Sequence, residues 1–437
     1  MEKKIKILVV TNLPWREDNS IGNSYSNIFR GTSDKYEFAQ IYIRDGMPQN
    51  DIVHDYYHIS EKKMMKHIFK RKTVVGRSFH LENSLDMKKD SFGSLYNKAR
   101  ILRWPVFFLV RDFIGISNCW KTPDFERFLD EFQPDVVFGT LSTIASINRI
   151  MWYVSESRHI PLITYPWDDY YSLRHYTLSP IFWIRKLLNR HYLRKTALKS
   201  DFMYCISDIM IKEYSKEFRK ECKLLFKCNE FVEKRVVFKE IKSPVNFVFM
   251  GNIGQGRWKS LARLAQAIKS VNEKMGKQVS VLNVYTLSPR NTEIQDALNV
   301  EGASILNEAV PNNLVFSTME SADILIHAEP LEREEIQFFR ASFSTKIVDY
   351  FYNAKCIFAI GGMTASTEYL KRNDAAIIET DIDKIEMTVL KIVNNPNLIQ
   401  EYAQKSWDCG VRNHQKKVIQ DRMYNDFRSV INNYKNK

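Results

Sequence analysis

Long apolar runs, paired cysteines and internal repeats are what this sequence lacks. No stretch approaches the roughly 18 uncharged apolar residues of a membrane-spanning helix. The charged start, Met1 to Lys4, is not the pattern of a signal peptide. The six cysteines are scattered, with no CxxC pair, which disfavours a zinc site or a disulfide framework. Together these absences predict a reduced, cytoplasmic protein.

Size and charge narrow the class further. With 437 residues, 44% of them hydrophobic, the chain is long enough for two or three domains with full cores. The formal net charge of +13 and the pI of about 9.2 indicate an anionic partner, which leaves phosphate, nucleic acid and acidic lipid. No helix-turn-helix, RRM, KH or zinc signature accompanies the charge, and we therefore expect no nucleic-acid partner.

The segment from Ala341 to Met363 carries the most informative pattern. A hydroxyl of Ser344 or Thr345 is placed to cap a helix that starts at Lys346. Apolar residues then recur at helical spacing and leave Asp349 on the same side as the lysine. A buried strand and a double glycine follow. Because a helix start with a lysine attracts anions, and a carboxylate accepts hydrogen bonds from sugar hydroxyls, the pattern suits a nucleotide-sugar.

This order of residues resembles the donor-site signature of GT-B glycosyltransferases. The resemblance is to the retaining group called family 4, found in bacterial capsule and polysaccharide synthesis. It implies that Lys346 faces the diphosphate, with Ser344 and Thr345 beside it, and that Asp349 holds the ribose. The sequence departs from the family at Ala341, where members often have a second glutamate that contacts the transferred sugar.

Two other carboxylates are candidates to replace that glutamate. Glu329 and Glu334 follow the apolar segment that ends at His327, near the expected donor site. We expect His327 itself to be a packed or hydrogen-bonded histidine.

A second phosphate-binding pattern opens the carboxyl-terminal half. A buried strand leads to Gly251 and Asn252, and then to a glycine-containing basic loop that enters a helix. Resemblance to the family implies that this loop supplies a basic pair to the leaving diphosphate, and Arg257 and Lys259 match that pair. We assign both a catalytic role, and Gly251 and Asn252 a donor-binding role. Solvated surface cations are the alternative for Arg257 and Lys259.

The amino-terminal half offers two weaker candidates. Gly22 lies in the polar loop after the first buried strand, where resemblance to the family places a glycine against the donor diphosphate; a flexible turn is the alternative. Asp168 follows another strand beside Trp167 and Tyr170, and we assign it a catalytic role on the acceptor side. Asp169, or a helix cap, is the alternative there.

Three apolar or basic segments raise the question of a membrane surface. Glu61–Lys72 and Ser179–Lys199 are basic and amphipathic, and the apolar run in Ala99–Ile116 is too short to span a bilayer. Such segments bind an anionic lipid surface or simply cover a core.

We therefore predict an α/β protein of the GT-B fold, with two Rossmann-like domains facing a cleft. The predicted acceptor domain is 1–240, the predicted donor domain is 241–414, and a helix at 415–437 crosses back to the first domain. The predicted function is transfer of a sugar from a nucleotide-sugar to a hydroxyl acceptor, namely a lipid-linked or polysaccharide intermediate. A non-catalytic glycan- or partner-binding protein and a nucleotide-sugar epimerase are the alternatives.

No metal is expected, because helix termini and cations can neutralise the diphosphate. One DxD string, Asp381 to Asp383, follows a strand and is able in principle to hold a divalent ion. Since it opens a helix, we expect it to act as a cap.

Overall fold

The computed structural model describes residues 3–82, 113–174, 177–232 and 240–435. The chain forms two compact units: unit 1 contains Met1–Leu225 and Val418–Lys437, and unit 2 contains Phe226–Lys417. The predicted boundary near residue 240 is later than this division, because the Phe226 ring already packs against Phe343 of unit 2, with 4.8 Å between the ring centroids. Residues 99–112 of the apolar run lie outside the described residues.

In the described residues of unit 1, eight strands form one sheet in the order β4-β3-β2-β1-β5-β6-β7-β8. Neighbouring strands are parallel except for β3 and β4. Consecutive apolar residues in β1 are buried, as expected for a parallel strand covered on both faces. The strands are β1 (Ile5–Thr11), β2 (Tyr36–Tyr42), β3 (Asp55–Ile59), β4 (Gly76–His80), β5 (Val136–Gly139), β6 (Leu162–Thr164), β7 (Phe202–Cys205) and β8 (Cys222–Leu224).

The helices of unit 1 mostly begin at a polar cap. Asn19, Thr122, Ser179 and Ser207 each accept a hydrogen bond from a backbone amide of the first turn, which satisfies a donor that the helix leaves free. The helices described before residue 226 are α1 (Ser20–Phe29), α2 (Glu61–Phe69), α3 (Pro123–Phe132), α4 (Ala145–Ser157), α5 (Pro180–Lys199) and α6 (Asp208–Phe218).

The last helix of the chain completes the core of unit 1. From Val418 onward this helix belongs to unit 1, and it buries Met423 and Phe427. The ring of Phe427 lies 5.8 Å from that of Phe138, centroid to centroid. On the outer side of the helix, Asp421 pairs with Lys35 at 2.6 Å.

Unit 2 has the strand order of a Rossmann fold. Six parallel strands in its described residues form a sheet in the order β11-β10-β9-β12-β13-β14. The order reverses between β9 and β12, and such switch points are where doubly wound sheets bind ligands, at the carboxyl ends of the strands. The strands are β9 (Val245–Met250), β10 (Ser280–Thr286), β11 (Ser304–Glu308), β12 (Ile324–Ala328), β13 (Cys356–Ile360) and β14 (Ile377–Glu379).

Helices cover both faces of this second sheet, as a doubly wound fold requires. They bury one continuous cluster of aliphatic and aromatic side chains. The predicted α/β architecture with two Rossmann-like units is confirmed. The helices of unit 2 are α7 (Arg257–Met275), α8 (Thr292–Leu298), α9 (Val315–Ser321), α10 (Arg333–Phe339), α11 (Lys346–Tyr352), α12 (Ala365–Arg372), α13 (Ile385–Asn394) and α14 (Pro396–Asn413). The last helix of the chain, which belongs to unit 1 from Val418 onward, is α15 (Lys416–Lys435).

The two basic helices differ in what they bury. In α2, Met64 is buried and Met65 packs against the core of unit 1, so part of its apolar face is used inside the unit. Helix α5 instead exposes Ile184 and Leu187. Among the helices in the described ranges, none combines the length and the apolar character that crossing a membrane requires.

Candidate functional site

The carboxyl end of β9 approaches α11 unusually closely. The Lys346 ammonium donates a hydrogen bond to the carbonyl oxygen of Met250 at 3.0 Å. A Cβ atom on Gly251 would lie 1.9 Å from the Lys346 nitrogen. The Lys346 ammonium therefore lies directly against Gly251, and the two residues that we predicted separately are neighbours.

The prediction that a hydroxyl of Ser344 or Thr345 caps the start of α11 is wrong. Thr345 has helical backbone angles, and its side chain makes no cap hydrogen bond. The Ser344 amide is instead satisfied by the hydroxyl of Ser366 at 2.9 Å. Helix α11 starts at Lys346 and is only seven residues long, so the positive charge at its start belongs to the lysine side chain rather than to a capped helix terminus.

Lys346 is exposed as a whole residue, but its ammonium lies against the Met250 carbonyl oxygen. There the surrounding protein reduces the hydration of the charged form and lowers the pKa of Lys346 to about 8. The charge of Arg257 acts in the same direction, and Asp349 opposes it. A lysine with this pKa is partly neutral just above physiological pH, and an added anion would restore its charge.

Asp349 is held by a lysine that the sequence did not indicate. Lys227 donates to both carboxylate oxygens of Asp349, at 2.7 and 2.9 Å. The Lys227 side chain is 8% exposed and that of Asp349 is 29% exposed. The carboxylate that we predicted to hold a ribose therefore already carries a charged partner, and still has an accessible edge.

Asn252 shapes the turn after β9. Its side-chain oxygen accepts hydrogen bonds from the Gly254 amide at 2.7 Å and from the Ser288 hydroxyl at 3.0 Å. The same hydroxyl accepts from the Ile253 amide at 3.2 Å. The contacts of this oxygen thus fix the path of the loop toward α7.

Arg257 and Lys259 lie in the first turn of α7 and face carboxylates. Arg257 stacks on the ring of Phe339, 3.8 Å from its centroid, and lies 3.5 Å from a carboxylate oxygen of Glu329. Lys259 lies 3.7 Å from Glu332 and 3.8 Å from Glu335. The Arg257 side chain is 19% exposed, whereas that of Lys259 is 37% exposed and keeps the character of a surface cation.

Glu329 is the most buried acid of this edge, at 1% exposure. One of its oxygens, Oε1, lies 3.0 Å from the His327 ring nitrogen and accepts from the Thr364 hydroxyl at 3.0 Å. The other, Oε2, is buried and makes no hydrogen bond. Burial favours protonation, but the hydrogen bond and charge of His327, the charge of Arg257 and the Thr364 hydroxyl outweigh it, so the pKa of Glu329 is lowered.

The two proposed replacements for the missing glutamate therefore differ. Glu334 is exposed, whereas Oε2 of Glu329 is buried, makes no hydrogen bond and lies 3.5 Å from Arg257. The predicted hydrogen-bonded state of His327 is present, with Glu329 as its partner. Ala341, where the family glutamate is absent, is buried at 2% exposure.

In unit 1, Gly22 has a structural explanation. It lies in the first turn of α1, and its amide donates to the side chain of Asn19 at 2.7 Å. A Cβ atom on Gly22 would lie 2.0 Å from the carbonyl oxygen of Arg16. The glycine is therefore required by the neighbouring backbone, and its amide is already used by the cap.

Asp168 and Asp169 lie in the loop after β6, and neither caps a helix. The Tyr170 hydroxyl donates to Asp168 at 2.9 Å. Asp169 accepts from the Ser172 amide at 3.0 Å and from the Tyr214 hydroxyl at 3.2 Å. Asp169 thus shapes the loop, whereas Asp168 is held by its neighbouring aromatic residue.

The DxD string acts as the predicted cap. Asp381 accepts from the Asp383 amide at 3.1 Å and pairs with Lys384 at 3.1 Å. In the described ranges of the chain, no group of three or more His, Cys, Asp or Glu side chains is arranged to hold a metal ion. That the chain needs no metal stays a prediction.

No protein-family model matches the chain, and no curated protein matches it in sequence. Solved structures do match it along nearly its whole length. The E. coli structure described as trehalose-6-phosphate bound with UDP-2-fluoro glucose has a TM-score of 0.57 at 10% identity, and the match covers 97% of this chain and 98% of that one. Anabaena Alr3699/HepE in complex with UDP-glucose gives 0.59 at 10% identity, covering 97% and 100%.

An α,α-trehalose-phosphate synthase (UDP-forming) from Burkholderia xenovorans, in complex with glucose-6-phosphate, gives a TM-score of 0.56 at 8% identity, covering 97% of this chain and 100% of that one. At these identities the likeness shows the fold alone. The chain has the GT-B fold that the sequence predicted.

Proposed function

We propose that this chain is a glycosyltransferase that moves a sugar from a nucleotide-sugar donor to a hydroxyl acceptor. The observation that carries the proposal is the group of three cations, Lys346, Arg257 and Lys259, at the carboxyl edge of a Rossmann-ordered sheet. Lys346 lies directly against the glycine turn after β9, with its ammonium 3.0 Å from the Met250 carbonyl oxygen. That edge is where doubly wound sheets bind ligands.

Each residue of the donor site has a distinct proposed role. Lys346 and Arg257 bind the diphosphate, and Lys259 meets the charge that grows on it as the sugar leaves. Asp349 accepts hydrogen bonds from the ribose hydroxyls while Lys227 fixes its orientation. Oε2 of Glu329, which makes no hydrogen bond but lies 3.5 Å from Arg257, accepts a hydrogen bond from the transferred sugar, in place of the family glutamate that is absent at Ala341.

Electrostatic stabilisation is the chemistry that this arrangement supports. The bond between the anomeric carbon and the diphosphate oxygen breaks, and its electron pair stays on the diphosphate. The acceptor oxygen forms the new bond to the anomeric carbon, and the acceptor proton passes to a base or to water. Cations fixed beside the diphosphate lower the barrier because they stabilise the charge that develops there. A metal is not needed in this scheme, and retention of configuration follows the family resemblance.

The acceptor side of the proposal rests on unit 1. Asp168, held by the Tyr170 hydroxyl, is proposed to bind the acceptor hydroxyl, with Trp167 as an aromatic surface for a sugar ring. A lipid-linked or polysaccharide intermediate fits the basic character of the chain, whose net charge is +13, since such intermediates carry phosphate or lie at an anionic surface.

The test has two stages. Calorimetry with a panel of nucleotide-sugars, beginning with UDP-glucose because two structural relatives are described with UDP-sugars, should identify a donor that binds. Incubation with that donor should then release nucleoside diphosphate only when an acceptor is added. A chain that binds no donor in the panel would refute the proposal.

A second candidate is a non-catalytic GT-B protein that binds a glycan or a partner. It is favoured by the internal pairing of the site, because Arg257, Lys259 and Asp349 each face an opposite charge within unit 2. The two candidates separate in the second stage. If the chain binds a donor or a glycan but releases no nucleoside diphosphate with either lipid-linked or polysaccharide acceptors, the result supports the binding protein.

A further inference from the structure

In the first half of helix α5, polar residues lie inside and apolar residues outside, whereas further along the helix buries Leu193 and Ala197. Lys186 and Asn189 are buried, at 9% and 6% exposure, whereas Ile184 and Leu187 are 53% and 57% exposed. Ile184 and Leu187 are three positions apart and therefore lie on one face of the helix. Leu178, just before the helix cap, is 98% exposed. We call Leu178, Ile184 and Leu187 the α5 apolar face.

The orientation of the helix is fixed by the contacts of its inner side. The Lys186 ammonium donates to the Tyr170 carbonyl oxygen at 2.7 Å. Further along, the buried Thr196 hydroxyl accepts from the Trp152 indole at 2.7 Å and bonds to the Asn148 side chain at 3.0 Å. Rotating the helix to hide the apolar face would break these buried hydrogen bonds, each of which is costly to leave unmade.

The charge of the helix indicates what the face meets. Six cations and no acidic residue occur along the twenty residues of α5. Lys186 is buried, and Arg190, Arg194 and Lys199 pair with acids of other elements. Lys195, by contrast, is exposed and lies over the ring of Trp152, 4.4 Å from its centroid. Apolar side chains on a cationic helix match an anionic bilayer surface, where side chains enter the acyl boundary and cations meet headgroups.

Trp183 adds a second feature of an interfacial helix. It lies one residue before Ile184, is half-buried, and its indole N–H donates to the Thr177 carbonyl oxygen at 2.9 Å. Tryptophan with a satisfied N–H and an apolar body suits the boundary between headgroups and acyl chains.

A second copy of the chain fits this face less well. Three aliphatic side chains supply far less than the area of about 1,200 Å² or more that a stable interface buries.

We propose that the α5 apolar face is a docking surface for an anionic lipid bilayer. This goes beyond the proposed function, because it assigns a surface rather than a reaction. It would also place unit 1 at the membrane surface where a lipid-linked acceptor is held. Its test needs neither donor nor acceptor, so the two proposals fail separately.

The experiment is sedimentation of the full chain with vesicles of phosphatidylcholine containing about one third phosphatidylglycerol, beside vesicles of phosphatidylcholine alone. We expect binding to the anionic vesicles at low salt and release at high salt. An Ile184→Ser/Leu187→Ser double variant, which keeps every cation, should lower the partition coefficient at least about tenfold. The matched control is Leu287→Ser/Met387→Ser, at residues of unit 2 that are 88% and 62% exposed, and it should bind as the wild type does.

Three results would overturn the proposal. One is equal binding of wild type and α5 variant, and another is absence of wild-type binding at low salt. The third is a dimer in light scattering that the α5 variant abolishes, which would assign the face to a second copy. Because the substituted side chains are exposed, unchanged thermal melting of both variants is expected and confirms that they are folded.

Discussion

The Lys227 ammonium lies 2.7 Å from one carboxylate oxygen of Asp349 and 2.9 Å from the other. The lysine is nearly buried and the carboxylate keeps an accessible edge. The Coulomb attraction of such a pair is largely offset by the desolvation of its two charges, but removing either partner leaves the other charge without compensation. The pair therefore sets the orientation of Asp349 before any ligand arrives.

The first prediction is that this pair is strongly coupled. A double-mutant cycle with Lys227→Met and Asp349→Asn, measured by urea unfolding at neutral pH, should give a coupling free energy of about 2 kcal/mol. The matched control is Lys405 with Asp374, which are 2.8 Å apart but 31% and 65% exposed. Its coupling should stay below about 1 kcal/mol. Equal coupling free energies in the two cycles would mean that burial of Lys227 does not strengthen its coupling to Asp349.

The second prediction concerns the pH dependence of donor binding. Since the pKa of Lys346 is about 8, the free site loses its positive charge as pH rises through this value. A nucleotide-sugar keeps its phosphate charge over this range, so binding above pH 8 requires uptake of a proton. The affinity measured by calorimetry should therefore fall as pH rises above 8, by at most about tenfold per pH unit. Lys346→Arg keeps its charge and should show a flat profile; a parallel decline in this variant would contradict the assignment.

The third prediction concerns recognition of the transferred sugar by Glu329. Replacing Glu329 by glutamine should reduce the advantage of UDP-glucose over UDP, measured as the ratio of their dissociation constants, by about tenfold. The ratio is used because Glu329 also faces Arg257 at 3.5 Å, so UDP affinity alone is expected to change. Glu334→Gln, at an exposed carboxylate five positions on, should leave the ratio unchanged. If only the Glu334 variant alters the ratio, Glu334 is the sugar-binding residue.

The fourth prediction concerns Lys259 and the leaving charge. Lys259→Ala should lower turnover about tenfold or more while changing the donor dissociation constant much less, because the charge on the diphosphate grows toward the transition state. Lys269→Ala is a control on the same helix, since Lys269 faces only Glu273 at 4.0 Å. Equal losses in binding and turnover would assign Lys259 to ground-state binding instead.

The fifth prediction concerns His414, which is fully buried among aromatic rings in unit 2. Its Nδ1–H donates to the Lys227 carbonyl oxygen at 3.0 Å, so in the neutral ring Nε2 accepts from the Tyr369 hydroxyl at 2.9 Å. Burial lowers the pKa of His414 to about 4, whereas an unfolded histidine titrates near 6.5. Between these values the unfolded chain binds the extra proton, so the free energy of unfolding falls as pH falls, by about 3 kcal/mol in all.

Urea unfolding between pH 7 and pH 4 checks this, with His414→Gln as the comparison. The variant starts from a lower stability, but its decline with falling pH should be smaller by the contribution of one histidine. Identical declines in the two proteins would show that carboxylates alone cause the loss at low pH.

Features that depend on local sequence were predictable. Continuous apolar runs such as that of β9 predicted parallel strands, and the glycine turn after β9 was predicted to belong to the donor site. In the structure Gly251 lies against the Lys346 side chain. The DxD string was correctly predicted as a cap, because Asp381 bonds to an amide only two residues away.

Features that depend on distant partners were not predictable. Lys227 and Asp349 are 122 positions apart, and no local pattern relates them. The same holds for Lys259 and the acids of residues 332–335. Periodicity alone predicted two similar basic helices, but it did not show that α5 buries Lys186, because that depends on a carbonyl oxygen of the preceding loop.

Unit 1 is assembled from both ends of the chain, and this has a consequence for synthesis. Helix α15 supplies Met423 and Phe427 to the core of unit 1, but it leaves the ribosome only after every residue of unit 2. Unit 2 therefore has all its own strands and helices available first. The nascent amino-terminal unit, although translated earliest, waits for the last twenty residues of the chain to cover its apolar surface, and until then that surface is open to chaperones.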